Sequence, residues 1–317
     1  MKNNSKKLVV AVLSGGFSNE RDISLISGEN VFRMLDRSKY VVKHIDLSHK
    51  TVRTLPTLLK NVDVAFLALH GIFGEDGHIQ AILESLDIPY TGSNVLSSAL
   101  AMDKYRTMVM AEVAGLTIPK SLLATKKDLS HFSTFANKAK KLKYPLFVKP
   151  NASGSSVGAG IAKNSTELKK RIQDSLKHDK SVLVQEFIRG RELTCGVIGN
   201  TGELVLPLPP VEIPKQGEFF DRKIKYADKT VELCPAPLSK AQTKKIQNLS
   251  VLIHETLGCD GVTRSDFLLK GNTFYFLETN TIPGLTENSL VPKEAKAMGM
   301  TFPKYLDAQI TLALRKK

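Results

Sequence analysis

Residues 264–284, "RSDFLLKGNTFYFLETNTIPG", set two carboxylates, a carboxamide and a guanidinium into two apolar runs. Strand side chains alternate with period two, so Phe274, Phe276, Glu278 and Asn280 are expected on one face. Burying a charge or an amide without a partner is costly, so the end of that face needs something to meet it. Lys270, Gly271 and Asn272 read as a three-residue turn. In that register Leu269 pairs with Thr273, Asp266 faces Phe276 and Arg264 faces Glu278. Cross-strand partners share a face, so Arg264, Asp266, Glu278 and Asn280 would project together. An even turn without a bulge would separate Asp266 from Glu278. Two carboxylates and an amide oxygen are hard ligands of the kind Mg²⁺ takes, with water and phosphate oxygens completing its shell. A structural bridge between Arg264 and Glu278 is the competing reading.

A second group of residues suits an anion. "LFVKPNASGSSVGAGIA" (146–162) brings Lys149 to the end of a strand and follows it with small residues. Gly154 and Gly158 let backbone amides approach closely, and Ser155 and Ser156 add hydroxyl donors. The lysine precedes the loop, so this is not the P-loop pattern. Lys104, in "AMDKYRTM", could make a second phosphate contact, although a lone lysine is more often solvated. In "VLVQEFIRGRE" (182–192) a strand breaks at Gly190. Backbone groups of Phe187 and Ile188 could read an adenine there, and Glu192 a ribose; an inter-domain linker is the plain alternative.

These residues need elements to hold them. Up to about residue 100, short apolar strands alternate with glycine-bearing loops and helices, which reads as an open parallel α/β sheet. Ligands bind such sheets at the carboxyl ends of strands, where Gly15, Gly16, His70 and Gly71 fall. A long helix over about 95–114 leads to a second block. There "IPKSLLA", "YPLFVKP", "GAGIAK" and "SVLVQEFI" read as strands, and "DLSHFSTFANKAKKLK" and "STELKKRIQDSLK" as helices. The third block opens with an antiparallel pair turned at 200–202. It continues through a polar loop, "KQGEFFDRKIKYADKTVELCP", to a helix over about 239–257, the hairpin and a terminal helix.

The chain has 317 residues, which suggests two or three domains. It is 42% hydrophobic and 24% charged, an ordinary globular composition. The early apolar run "LVVAVL" is too short to span a membrane and lacks the marks of a signal peptide. A cytoplasmic location with no membrane partner is the expectation. Cys195, Cys234 and Cys259 are too scattered for a metal or redox motif and read as reduced thiols. The net charge of +14 comes from 45 Lys and Arg against 31 Asp and Glu. The excess lies in helix-like stretches without interleaved aromatics, which argues against nucleic acid.

Taken in order, the motifs "GGFSNERDIS", "ALHGIFGEDG", "YTGSNVLSSALAMDK", "VKPNASGSSVG", "EFIRGRE", "KIKYADKT", "CPAPL", "RSDFLL" and "ETNTIPGLTENSL" resemble the ATP-grasp superfamily. Within it they are similar to the D-alanine–D-alanine ligase family over nearly the whole chain. The resemblance implies an N-terminal α/β substrate domain (1–102), a central ATP-grasp subdomain with the Gly/Ser loop (103–190) and a C-terminal subdomain with a mobile loop and metal site (191–317). It implies that ATP phosphorylates one D-alanine and that a second attacks the acylphosphate, for peptidoglycan precursor synthesis.

The same resemblance distributes roles. Lys104, Lys149, Ser155 and Ser156 hold ATP phosphates; Gln185, Glu186, Phe187, Ile188 and Glu192 hold its nucleoside. Asp266, Glu278 and Asn280 hold two Mg²⁺ or Mn²⁺, and Arg264 and the Gly284 N–H stabilise the oxyanion. Glu20 receives the first D-alanine's ammonium beside His70, while Lys225, Ser289 and Leu290 receive the second substrate. Glu20, Ser155 and Tyr226 match a hydrogen-bonded trio, and Tyr226 points to an amine acceptor. Gln185 departs from the acid of many relatives, which puts its side-chain contact to adenine in question. Relatives are often dimers through the first domain. The competing readings are another ATP-grasp carboxylate–amine ligase, a D-alanine–D-lactate ligase, a regulatory nucleotide binder and a nicotinamide dehydrogenase. Intact Arg264 and metal ligands argue against the third, and the missing GxGxxG against the fourth.

Overall fold

The computed structural model describes residues 6–154, 157–214 and 232–316. Its first part runs β1 (Leu8–Gly15), α1 (Arg21–Met34), β2 (Tyr40–Leu47), α2 (His49–Arg53), α3 (Leu55–Leu58), β3 (Val64–Leu67) and α4 (His78–Ser85). The strands form a parallel sheet in the order β2-β1-β3, extended by a bridge from Ala65 to Tyr90. Residues 10–13 and 64–67 are buried throughout, as expected of parallel strands covered on both faces. The short helices α2 and α3 have no clear apolar periodicity and were not expected.

The middle part runs α5 (Val95–Met102), α6 (Lys104–Val113), β4 (Ser121–Thr125), α7 (Lys126–Ser130), α8 (Phe132–Lys140), β5 (Leu146–Pro150), β6 (Gly160–Ala162), α9 (Ser165–Ser175) and β7 (Ser181–Glu186). Its four strands pair antiparallel in the order β4-β7-β5-β6. The single helix expected over 95–114 is two. Asp103 leaves helical geometry, and its side chain caps α6 by accepting from the Arg106 N–H at 3.0 Å. The helix expected over 128–143 also breaks, at His131 between α7 and α8.

The last part runs β8 (Arg191–Ile198), β9 (Leu206–Pro207), β10 (Val211–Ile213), α10 (Lys240–Thr256), β11 (Val262–Lys270), β12 (Thr273–Asn280), α11 (Leu290–Ala297) and α12 (Phe302–Ala313). The sheet order is β10-β8-β11-β12, with β9 also on β8. α10 starts as its sequence suggests, with Ser239 and Gln242 forming a reciprocal capping box.

The β11–β12 hairpin corrects the expected register. Lys270 pairs with Thr273, so the turn holds only Gly271 and Asn272. That even turn is followed by a bulge: Phe267 faces Phe276, but Asp266 faces Glu278 and Arg264 faces Asn280, leaving Leu277 extra. Glu278 and Asn280 therefore lie on the face opposite Phe274 and Phe276, not on theirs. The four polar residues still share one side, by a different route. On the other side Phe267 packs edge-on against Phe274 and Phe276, and Ser265 hydrogen-bonds Thr279 at 3.0 Å.

Three apolar clusters underlie the sheets. One joins β1 and β3 to residues of α11 and α12, so the first sheet and the last helices share a core. A second packs Phe267, Phe274 and Phe276 against α10 and the end of α6. The third lies beneath the middle sheet. The cysteines are all free; burial pushes the Cys259 thiol up to about 12, which leaves it inert as a nucleophile. Among the described residues no helix is long and apolar enough to cross a membrane. Phe276→Ala is expected to destabilise the chain by about 3–5 kcal/mol through lost burial and a residual cavity. Urea unfolding reads this as a lowered midpoint at unchanged slope.

Candidate active site

The centre of the site is a two-pronged clamp on β11. Arg264 and Asp266, two apart on one face, bond through Nε to Oδ1 and through a terminal guanidinium nitrogen to Oδ2, both at 2.9 Å. Thr194, opposite Asp266 on β8, adds its hydroxyl to Oδ1 at 2.7 Å. Burial alone would disfavour the Arg264 cation, but the charge of Asp266 and its hydrogen bonds raise the guanidinium above its ordinary value. The expected alternative, a bridge from Arg264 to Glu278, is not the pairing observed. Glu278 instead faces two lysines, with Oε2 lying 3.0 Å from Lys149 Nζ and 3.8 Å from Lys104 Nζ. Asn280 turns its Oδ1 to the Ile282 N–H at 2.9 Å.

Both lysines come from the middle sheet's surroundings, Lys149 from β5 and Lys104 from the first turn of α6. Lys104 Nζ also donates to the Ser153 carbonyl at 2.7 Å, and the Tyr105 N–H donates to Asn151 Oδ1 at 2.8 Å. The start of the Gly/Ser loop is thereby strapped to the helix. Ser155 and Ser156 lie outside the described residues. Just before them, a Cβ on Gly154 would stand 2.6 Å from Glu20 Oε2 and 3.2 Å from the Gly71 Cα. Three loops thus meet at Glu20: its own, the one after β3 and the Gly/Ser loop.

Glu20 directly precedes α1, and its N–H donates to Ser18 Oγ at 3.1 Å. Ser18 Oγ donates in turn to the His70 carbonyl at 2.5 Å. The His70 ring is buried, lies 2.9 Å from Ser27 Oγ and hydrogen-bonds the Ile282 backbone. Burial, helped by the field of Arg264 and opposed by the Ile282 bond, holds its pKa down to about 4. The imidazole is neutral near pH 7.

Glu75 also lies among these groups, although no motif marks it in the sequence. It accepts from the Gly71 N–H at 2.7 Å and sits close enough to Glu20, Arg264 and Lys104 to feel their charge. Burial first, and then Glu20, push its carboxyl up to about 8. The available signal was an acid inside "HGIFGEDG", a loop at a strand's carboxyl end. Thr194 was also missed; only the β8 register reveals it.

At the end of β7 the Gln185 side chain turns back into the protein. Gln185 Nε2 donates to Met108 Sδ and to Ser121 Oγ, each at 3.1 Å. Glu186 accepts from the Lys120 N–H at 2.9 Å. Phe187 and the buried Ile188 lead from there to β8, where Glu192 stands opposite Leu268, on the same face as Thr194 and Asp266. On the far side, a Cβ on Gly284 would lie 2.7 Å from Ser289 Oγ, and Ser289 Oγ accepts from the Thr286 N–H at 3.1 Å. Ser289 and Leu290 open α11. Lys225 and Tyr226 lie outside the described residues.

The perturbed groups make opposite contributions to stability. Glu75 in the folded chain keeps a proton between about 4.5 and 8 that the unfolded chain releases, so stability falls as pH rises through that window. His70 stays neutral between about 6.5 and 4 where the unfolded chain binds a proton, so its contribution is lost as pH falls. Glu75→Gln should make the fall in stability from about pH 6.5 to 8 shallower and leave the acid-side loss in place. Urea unfolding at stepped pH measures both limbs; an unaltered upper limb would contradict the assignment.

The family description "D-ala D-ala ligase C-terminus" matches residues 110–311, and "D-ala D-ala ligase N-terminus" matches residues 51–93. A D-alanine–D-alanine ligase of Syntrophobacter fumaroxidans is 42% identical over 98% of this chain and 99% of its own. One from Syntrophotalea carbinolica is 40% identical over 97% of each. Among solved structures, a D-alanine–D-alanine ligase of Bacillus anthracis superimposes with a TM-score of 0.86 at 36% identity, covering 97% of this chain and 98% of that one. The VanG D-Ala:D-Ser ligase of Enterococcus faecalis gives 0.85 at 32% identity, covering 97% of this chain and 100% of that one. With its three sheets, its hairpin clamp and full-length likeness of this kind, the chain belongs to the D-alanine–D-alanine ligase family.

Proposed function

We infer that this chain joins two D-alanines into D-alanyl-D-alanine while converting ATP to ADP and phosphate, in the cytoplasm and for peptidoglycan precursors. The observation that carries the reading, within a chain of this family, is the convergence of Lys104 and Lys149 on Glu278 beside the Arg264–Asp266 clamp. Three cations gathered about two carboxylates give an anion such as a triphosphate a place to bind. The working units would be 1–102, 103–190 and 191–317.

In this reading Lys104 and Lys149 take phosphate oxygens of ATP, with Ser155 and Ser156 beside them. The backbone of Glu186, Phe187 and Ile188 takes the adenine, and Glu192 the ribose. The Gln185 carboxamide is committed to Met108 and Ser121, so it contributes shape and not a contact to the base. A carboxylate oxygen of the first D-alanine attacks the γ-phosphorus, and the bond to the β-phosphate oxygen breaks. Glu20 holds that substrate's ammonium, and neutral His70 packs nearby without competing for Glu20's charge. The second D-alanine, its carboxylate held by Lys225, Ser289 and Leu290, attacks the acyl carbon with its free amine. The oxyanion that forms meets Arg264 and the Gly284 N–H; phosphate then leaves with the C–O bonding pair and takes up the proton shed by the amine nitrogen. One donor of this type is worth about 3–4 kcal/mol of barrier.

Asp266, Glu278 and Asn280 fit Mg²⁺ or Mn²⁺ in chemistry, being hard oxygen donors on one face. Among the described residues no three His, Cys, Asp or Glu side chains gather as a closed metal cage. When bound, such ions neutralise charge on the transferring phosphate.

Phosphate release and product mass with D-alanine, L-alanine, or D-alanine plus D-lactate test the reading. D-alanyl-D-alanine is expected from D-alanine; phosphate release with L-amino acids alone would overturn it. Asp266→Asn should lower turnover at least about 100-fold, since it loosens Arg264 and takes the charge from a metal ligand together. Its unfolding curve should stay cooperative, and near-normal turnover would remove Asp266 from the machinery.

A further inference from the structure

Glu294 is an acid with no place in the scheme above, yet it is fully buried. It lies on α11 one helical turn beyond Leu290. Its Oε2 accepts from the Gly196 N–H at 2.8 Å, and its Oε1 has no hydrogen-bond partner among the described residues. Gly196 stands directly opposite Arg264 in the β8–β11 ladder. On the other edge of β8, β10 pairs with residues 192–194 and β9 with residues 197–198, and the Gly196 N–H lies in the gap between them. Glu294 supplies the acceptor that no strand supplies. The fit is tight, since a Cβ on Gly196 would fall 2.3 Å from Glu294 Oε2.

The helix that carries Glu294 opens with Ser289 and Leu290, and Gly284 lies against Ser289. One buried contact therefore ties the acceptor end of the site to the backbone opposite Arg264. We propose that Glu294 is a positioning residue for the second substrate: through Gly196 it fixes the start of α11 relative to the oxyanion-binding guanidinium. The proposal rests on the ligase reading. Phosphoryl transfer is assigned above to Lys104, Lys149 and the metal ligands, and Arg264 keeps its two bonds to Asp266, so neither acylphosphate formation nor the oxyanion contact depends on Glu294.

The test compares two nucleophiles in the full-length chain with ATP. D-alanine as acceptor has a carboxylate to be held; hydroxylamine has none. The hydroxylamine nitrogen attacks the acyl carbon, phosphate leaves with the C–O bonding pair and takes up the proton the nitrogen sheds, and D-alanine hydroxamate forms, reporting acylphosphate formation and its capture without a held acceptor. Glu294→Ala should lower dipeptide formation per acceptor concentration by roughly tenfold or more, with hydroxamate formation within about twofold of the unaltered chain. Glu294→Gln keeps an oxygen for the Gly196 N–H and should restore dipeptide formation to within about threefold. Gly196→Ala, which displaces the carboxyl from the other side, should reproduce the split and serves if Glu294→Ala does not fold. Equal losses with both nucleophiles, an unchanged Glu294→Ala variant, or no rescue by glutamine would each overturn the proposal. Absence of dipeptide from the unaltered chain would instead overturn the ligase reading.

Discussion

A single extra residue in one strand decides which side of the last hairpin is polar. Strand side chains alternate, and the even turn at Gly271 and Asn272 would by itself put Glu278 with Phe276 over the apolar cluster. The bulge at Leu277 resets the alternation, so that one face of the ribbon ends in aromatic packing and the other in charge. A carboxylate among Phe267, Phe274 and Phe276 would have no partner, and desolvation would expel it or neutralise it. Two lysines, Lys149 from β5 of the middle sheet and Lys104 from α6, instead reach Glu278, and the Arg264–Asp266 clamp closes beside it. The polar face depends on this one local irregularity.

The surrounding loops are held by contacts that leave little slack. Lys104 binds the Ser153 carbonyl while facing Glu278, so one ammonium joins loop, helix and hairpin. His70 does similar work without charge, linking the loop after β3 to Ser27 on α1 and to the Ile282 backbone. The interior acids are satisfied sparingly: Glu75 by one backbone N–H, Glu294 by another. Such groups specify a geometry more than they add stability, because their burial opposes most of what their hydrogen bonds contribute.

Much of this was legible in the sequence, and the failures have physical causes. The strands β1, β2, β3, β5 and β7 announce themselves by apolar runs bounded by glycine and polar residues, and the capping box before α10 by Ser239 and Gln242. The grouping of Arg264, Asp266 and Glu278 was foreseen from residue type and spacing. Its register was not, because a bulge is a tertiary adjustment with no local signature at Leu277. The break at Asp103 was hidden by the continuous apolar pattern on both sides, although aspartate is a strong capping residue. Glu75, Thr194 and Glu294 were missed because each gains its meaning from a partner distant in sequence or on another element. The inward turn of Gln185 toward Met108 likewise depends on packing that no spacing rule encodes.

The meeting of Glu20 with Gly71 and Gly154 has an implication for how this pocket can change. A methyl group at Gly154 would press on the Glu20 carboxylate and the Gly71 backbone at once, and one at Gly71 would meet Ser18 and Glu20 at 3.0–3.1 Å. Gly71 also has φ +72°, which disfavours any side chain. A side chain at Gly154 therefore has to displace the Glu20 carboxylate, and one at Gly71 is strained by its backbone conformation. Enlarging Gly154 thus acts on the position of the Glu20 carboxylate and not simply on the space beside it.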